Sequence, residues 1–300
     1  MGPVVFKLWI TLLAVSLASI ALAQDIGASL PSAGEIAFIS VSDNSEALFT
    51  RDVARGISEN LVARIFTGNS PPAWSPDGKQ LASSYASVGG GQRIYILDIA
   101  TRDLRHLTTT TAVEMTPAWS PDGRQIAFAS SDTRQTAGLW IVSADGKNLR
   151  PLTDSAGHYF DTDPAWSPDG KQIAFVSNRA NGSDIFVIDS DGANLRQLTH
   201  GIRSSFLLNW SPDGNSLTFT SYDDGNGEIE LVDVATGHVR QLTDNRADDQ
   251  AAVWSPDGQW IAFTSTRDGT RQLYAMRLDG SDVRRLTGSR GDDYSPAWRP

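Results

Sequence analysis

Apolar residues recur at every second position in short runs along most of this chain. In QIAFVSN (172–178) and DIFVIDS (184–190), Ile173 and Phe175, then Ile185 and Val187, show the period of two that a β-strand needs. Segments 163–167 and 194–199 flank them, so the stretch 163–199 predicts four short strands separated by turn residues. The stretch is one copy of a repeat. Trp-Ser-Pro-Asp-Gly begins at Trp74, Trp119, Trp166, Trp210 and Trp254, and an altered Trp-Arg-Pro begins at Trp298, at intervals of 44 to 47 residues. Four strands to a unit and six units predict an all-β chain folded as a six-bladed β-propeller, four antiparallel strands per blade.

The repeat array is offset at its ends. EIAFIS at 35–40 is a second-strand segment with no Trp motif ahead of it, and SPAWRP at 295–300 is a first-strand segment with no second strand after it. The C-terminal strand is therefore expected to complete the first blade, closing the ring and hiding sheet edges that would otherwise invite aggregation. Ser-Pro-Asp-Gly reads as the turn between first and second strands. Pro presets φ, Asp bonds nearby amides, and Gly takes the left-handed conformation. Asp77, Asp122, Asp169, Asp213 and Asp257 are accordingly expected to serve the turn rather than chemistry, and the repeated tryptophans to pack between blades.

The segments PAWSPDG, KQIAFVS, DIFVID and LRQLT resemble the TolB-like β-propeller repeat, a WD-repeat-like unit, over 35–300. The resemblance implies a propeller found in periplasmic TolB and as a regulatory domain on serine peptidases, and it implies that calcium can be accepted in the channel. TolB-like proteins carry an N-terminal α/β domain before the propeller, and with few residues between the apolar leader and Glu35 no counterpart of it is expected in this sequence. The unit around Trp210 reads LLNWSPDG, without the Pro-Ala that precedes Trp in four other copies, and is expected to present a different surface at the hub.

Ahead of the repeats, Lys7 precedes the charge-free apolar stretch 8–22, and Ala21-Leu22-Ala23 forms a small-x-small cleavage site. The expected organisation is a signal peptide over 1–23, a short lead-in over 24–33 and the propeller over 34–300. An uncleaved anchor is the competing reading, but about 15 apolar residues fall short of the roughly 20 that span a bilayer. No stable membrane span is expected after cleavage, and the location is expected to be periplasmic or extracellular. The chain has 25 Lys plus Arg against 35 Asp plus Glu, a formal charge of −10, which argues against nucleic acid and favours a basic partner or a cation. Cysteine is absent, so disulfides, thiolate metal sites and Cys nucleophiles are excluded.

No Gly-x-Ser-x-Gly elbow, HExxH, phosphate-binding loop or dinucleotide fingerprint occurs, and the four histidines show no ligand spacing. No catalytic residue is assigned and the chain is expected not to be an enzyme. Alignment on Trp places Asn69, Glu114, Asp161, Ser205, Asp249 and Asp293 five residues ahead of it, at one mouth of the channel. Glu114, Asp161, Asp249 and Asp293 are either loop caps or a negative rim that attracts a basic segment or a metal; no cofactor is required, and Ca2+ is the optional ligand. Beside them, Met115, His158, Tyr159, Phe160, Phe206 and Tyr294 are candidate partner anchors unless they fold back onto their own blades. The expected function is a monomeric scaffold binding a protein or peptide at the channel-mouth face, with a basic partner the one that the negative charge suits. The alternative is an enzyme or carbohydrate-active protein working at the central channel.

Overall fold

The computed structural model describes residues 34–300 apart from 44, 66–69, 87–90, 111, 134–135, 155–158 and 181. The leader and lead-in, and with them the readings for 1–33, lie outside the described residues, as do Asn69 and His158. Six four-stranded sheets make up six blades. From the hub outward, blade 1 comprises Asp292–Trp298, Glu35–Ser42, Ser45–Asp52 and Ile57–Ile65, and blade 2 comprises Ala73–Trp74, Gln80–Ala86, Gln92–Asp98 and Leu104–His106. Blade 3 is Val113–Trp119, Gln125–Thr133, Thr136–Ser143 and Arg150–Pro151, and blade 4 is Asp161–Trp166, Gln172–Ser177, Asp184–Asp189 and Arg196–Gln197. Blade 5 is Ser205–Trp210, Ser216–Ser221, Glu228–Asp233 and Val239–Gln241, and blade 6 is Asp249–Trp254, Trp260–Ser265, Gln272–Arg277 and Arg284–Arg285.

Every strand pairs antiparallel with its neighbour, as consecutive strands joined by short turns must. The closing strand is longer than the sequence reading, starting at Asp292, and it sets Trp298 opposite Ile36 and Tyr294 opposite Ile39. The Arg299 amide donates to the Glu35 carbonyl at 2.8 Å, and the Arg299 guanidinium also pairs with the Glu35 carboxylate.

The second strands are buried on both faces, because each blade lies between two others: Gln172–Ser177 is buried at all but its first residue. Alternation therefore sorts side chains between neighbours instead of between core and water. Ile173 and Phe175 face blade 3 in one cluster, while Ala174 and Val176 face Leu208, Trp210 and Phe219 of blade 5 in the next. Large residues on one face meet small ones on the facing blade, which keeps the interface close-packed. Outer strands of blades 2–6 are only two or three residues long, a way of blunting an exposed edge. Their arginines reach across to the next blade: Arg105 to the Ala144 carbonyl at 2.7 Å, Arg150 to Ser190 at 2.9 Å and Arg240 to Leu278 at 2.8 Å.

The Ser-Pro-Asp-Gly turns form one face of the ring. In blade 4, Ser167 Oγ donates to Asp169 Oδ1 at 2.7 Å, the Lys171 amide donates to the same oxygen at 3.1 Å, and the Gln172 amide donates to Ser167 Oγ at 2.9 Å. The same bonds recur at Asp77, Asp122, Asp213 and Asp257. The serine hydroxyl and the turn amide hold the Asp77, Asp122, Asp169 and Asp213 carboxyls below the usual range. Gly170 (φ 71°) closes the turn, where a Cβ would come 3.2 Å from Pro121 of blade 3. Tryptophan joins blades at the hub: Trp74 Nε1 donates to the Ala297 carbonyl at 3.0 Å and Trp210 Nε1 to that of Ala165 at 2.9 Å.

Candidate binding face at the channel mouth

The opposite face carries the connections from each outer strand to the next inner strand, together with the hairpins between second and third strands. The candidate acids lie here, at the starts of inner strands, but they are buried rather than set around an open rim. Asp161 accepts from Arg179 Nη2 at 2.8 and 2.6 Å, and the guanidinium sits 5.1–5.3 Å from the rings of Tyr159, Phe175 and Phe186. Asp249 repeats the device with Arg267 Nη2 at 3.2 and 3.0 Å, over Phe263 and Tyr274, and adds Asn245 Nδ2 at 2.6 Å. Among the described residues no arginine pairs with Glu114. It accepts from Thr108 Oγ1, from Thr110 Oγ1 at 2.6 Å and from the Ile94 amide at 3.2 Å. Asp293, served by the hydroxyls of Ser40, Ser289 and Thr287, has its carboxyl pushed up by burial, and its Oδ1 has no hydrogen-bond partner.

Each acid is thus bonded mainly within its own blade or to the adjacent connection. Calcium takes about six to eight oxygens around one point. Among the described residues no three His, Asp or Glu side chains are grouped to hold a metal, so this ring as placed does not form a calcium cage.

The anchor candidates divide. Met115 and Phe206 line a mouth cavity of about 310 Å³ together with Tyr222 and Asp163, and Phe206 is 39% exposed with its ring edge-on to Tyr222 at 6.2 Å. Tyr159 and Phe160 are also exposed on this face, the Phe160 backbone N–H donating to Asn178 Oδ1 at 2.8 Å. Tyr294 turns inward. Only 6% exposed, it packs between blades 1 and 2 and donates its hydroxyl to Glu46 Oε1 at 2.9 Å, so it offers no anchor surface.

Sequence reasoning missed the residues that shape the cavity floor. Three positions before each Trp stand Thr116, Asp163, Leu207, Ala251 and Ser295, all with φ between 50° and 58°, and a register shift in the inner strand accompanies each. These bulges bend the inner strands at the hub. In blade 2 the position is Pro71, whose ring forbids positive φ, and the inner strand shrinks to Ala73–Trp74. Bulge amides are satisfied from the preceding blade: Thr116 N–H by Ser70 Oγ at 3.0 Å, Ala251 N–H by Thr220 Oγ1 at 3.1 Å, and Ser295 N–H by Thr264 Oγ1 at 3.1 Å. Asp163 does this for Leu207 with a carboxylate, and burial pushes its carboxyl up. Aligning the copies at this position would have exposed it as the one acid among them.

A family model described as TolB beta propeller domain matches residues 28–137 and 204–300. The chain belongs to the TolB β-propeller family. Among solved structures, TolB from Acinetobacter baumannii is similar at 24% identity with a TM-score of 0.76, over 89% of this chain and 67% of that one. A putative TolB from Agrobacterium tumefaciens matches at 23% identity and a TM-score of 0.70, over 90% of this chain and 99% of that one. An oligogalacturonate lyase from Vibrio parahaemolyticus shares the ring at 16% identity and a TM-score of 0.58, over 80% and 73%. At these identities the likenesses to solved structures speak for the fold, which carries both TolB proteins and an enzyme.

Proposed function

We propose that this TolB-family propeller is a scaffold that binds a protein or peptide partner at the channel-mouth face, outside the cytoplasm. The observation that carries the reading is the exposed aromatic set of blades 4 and 5, Tyr159, Phe160 and Phe206, beside the mouth cavity. Rigid rings give large contact area for few torsions, which suits an anchor. The turn face carries exposed aliphatic residues at its rim, among them Leu104, Leu149 and Leu195, each in a different blade, but no exposed aromatic ring among the described residues. The reading is of binding rather than catalysis because, among the described residues, those lining the mouth cavity include one carboxyl, Asp163, and no imidazole or amine to act with it. The apolar leader and its cleavage site support export.

Photo-crosslinking from position 250, beside the mouth cavity, in intact cells, with the Tyr159→Ala, Phe160→Ala, Phe206→Ala triple variant carrying the same crosslinker as control, tests the face. A discrete crosslinked partner that the triple variant no longer captures is expected. Undiminished capture by a folded triple variant would remove the mouth face from the binding surface, and cell fractionation checks the location.

A further inference from the structure

Resting on that reading of the mouth face, we infer that Asp163 is the floor of a subsite for one organic cation, an alkylammonium or guanidinium at the tip of an unbranched chain. Its position is fixed by two cavities. Asp163, with its neighbours Thr116 and Leu207, lines both the mouth cavity of about 310 Å³ and the hub channel of about 300 Å³, so it stands at the boundary between them. Its structural duty is to accept the Leu207 amide, a task that neutral hydroxyls perform for Thr116, Ala251 and Ser295. The negative charge is surplus to that duty.

The charge also lacks a counter-ion. Thr162 Oγ1 at 2.8 Å and the Leu207 amide are its hydrogen-bond donors, whereas a carboxylate has about four acceptor sites, and among the described residues no Lys, Arg or His forms an ion pair with it. The contrast with Asp161, two residues earlier and ion-paired with Arg179, is direct. A buried carboxylate without a partner is unfavourable, and it is relieved either by a proton or by a cation brought from outside.

The surroundings choose the kind of cation. Asp163 is the one carboxylate in a lining that also holds Ser70, Thr116, Thr220 and Gln250, and the Ser70 and Thr220 hydroxyls already accept bulge amides, so the roughly six oxygens of a divalent metal are not on offer, whereas a single ammonium or guanidinium needs one charge-assisted contact and the apolar walls that Met115, Leu207, Phe206 and Tyr222 give its stem. The rings of Phe206 and Tyr222 at the entrance add cation–π attraction. A cavity at the lower end of the range of about 300–1,000 Å³ for ligand pockets admits a chain tip rather than a folded segment. The overall charge of −10 draws a cation toward it.

The ammonium can belong to a lysine of a partner or to a free amine, and two probes separate the sources: a capped glycine-flanked lysine peptide and 1,4-diaminobutane. Titration calorimetry, with tryptophan fluorescence from the hub as a second readout, is expected to show millimolar or tighter binding of at least one. Peptide binding without diamine binding assigns the site to a partner side chain, and the reverse assigns it to a small amine. Nε-acetylation of the peptide should abolish its binding. Asp163→Asn, which keeps an acceptor for Leu207 and Thr162, should weaken the bound probe at least tenfold with an unchanged or higher Tm.

A measurement on the unaltered protein stands beside the variant. Affinity should fall as pH is lowered through the Asp163 titration followed by carboxyl NMR, because proton and cation compete; Tyr222, the other titratable group lining the cavity, stays neutral throughout that range. Neither probe binding the unaltered protein, equal binding by Asp163→Asn, or equal binding of the acetylated peptide would overturn the subsite. Partner capture that survives Asp163→Asn but not the aromatic triple variant would sink the subsite alone and leave the mouth-face reading in place.

Discussion

The two faces of the ring solve the same geometric problem in opposite ways. On the turn face, five Ser-Pro-Asp-Gly segments make the same three side-chain bonds, and each glycine from blade 3 to blade 6 sits against the proline of the blade before it. On the mouth face, equivalent inner-strand positions are served in several ways: hydroxyls and an amide at Glu114, arginine at both Asp161 and Asp249 with Asn245 added at the latter, a Ser183 carbonyl taken by Ser205, and hydroxyls at Asp293. Repetition on the first face follows from a turn that has few chemical solutions. Variety on the second shows that the fold there requires only that each buried polar group be satisfied, and how is left free. A binding surface can diversify on such a face without disturbing the ring.

The largest expected effect bypasses both faces. Truncation after Gly288 removes the inner strand of blade 1, exposes the edge of Glu35–Ser42 and strips the partners of Ile36 and Ile39; a loss of soluble monomer, seen by size exclusion, is expected. A soluble truncated chain with an unchanged Tm would mean that closure contributes little. Next, Asp161→Ala leaves Arg179 largely buried and without its counter-ion, and should cost about 3 kcal/mol in urea unfolding, a loss typical of a broken buried pair. On the turn face, Asp169→Ala removes a local cap and should cost about 1 kcal/mol while leaving partner capture by the folded fraction intact. A reversed order of those two losses would break the contrast between the faces.

The smallest effect is a pH dependence. The folded carboxyls of Asp163 and Asp293 are raised above their unfolded value of about 3.9, so their contribution to stability is full below that pH and is lost as pH rises through the folded values. The double change to Asn should therefore be relatively more stable at pH 7 than at pH 4 when Tm differences from the parent protein are compared. A gap that does not widen with pH would show that these carboxyls are already relieved in the folded chain.

The ring was legible in the chain because its determinants are local and repeated. Trp166 with its following turn, and the second-strand run ending at Ser177, carry blade identity within a few residues. The offset between the ends of the array located the closing blade, with its inner strand running from Asp292 to Trp298 in place of 295–300. What was not legible depends on neighbours brought together by closure. Asp161 and Asp163 are two residues apart and chemically identical, yet one meets an arginine of its own hairpin and the other meets a backbone amide of the next blade. Tyr294 and Phe206 both stand beside the aligned acid position, and only packing decides that the first points inward and the second outward.

Closure by the C-terminal strand has a kinetic consequence. Blades 2 to 6 pair strands that follow one another in the chain, whereas blade 1 must join Tyr294 to Glu46, 248 residues away. Bringing the ends of a flexible loop of that length together costs on the order of 5 kcal/mol of chain entropy, and the contacts that offset it form only when the intervening blades have already narrowed the gap. Non-local pairing of this kind slows folding. The seam between Glu35–Ser42 and Asp292–Trp298 is accordingly the late event of folding, a latch that engages only on a ring already five-sixths assembled.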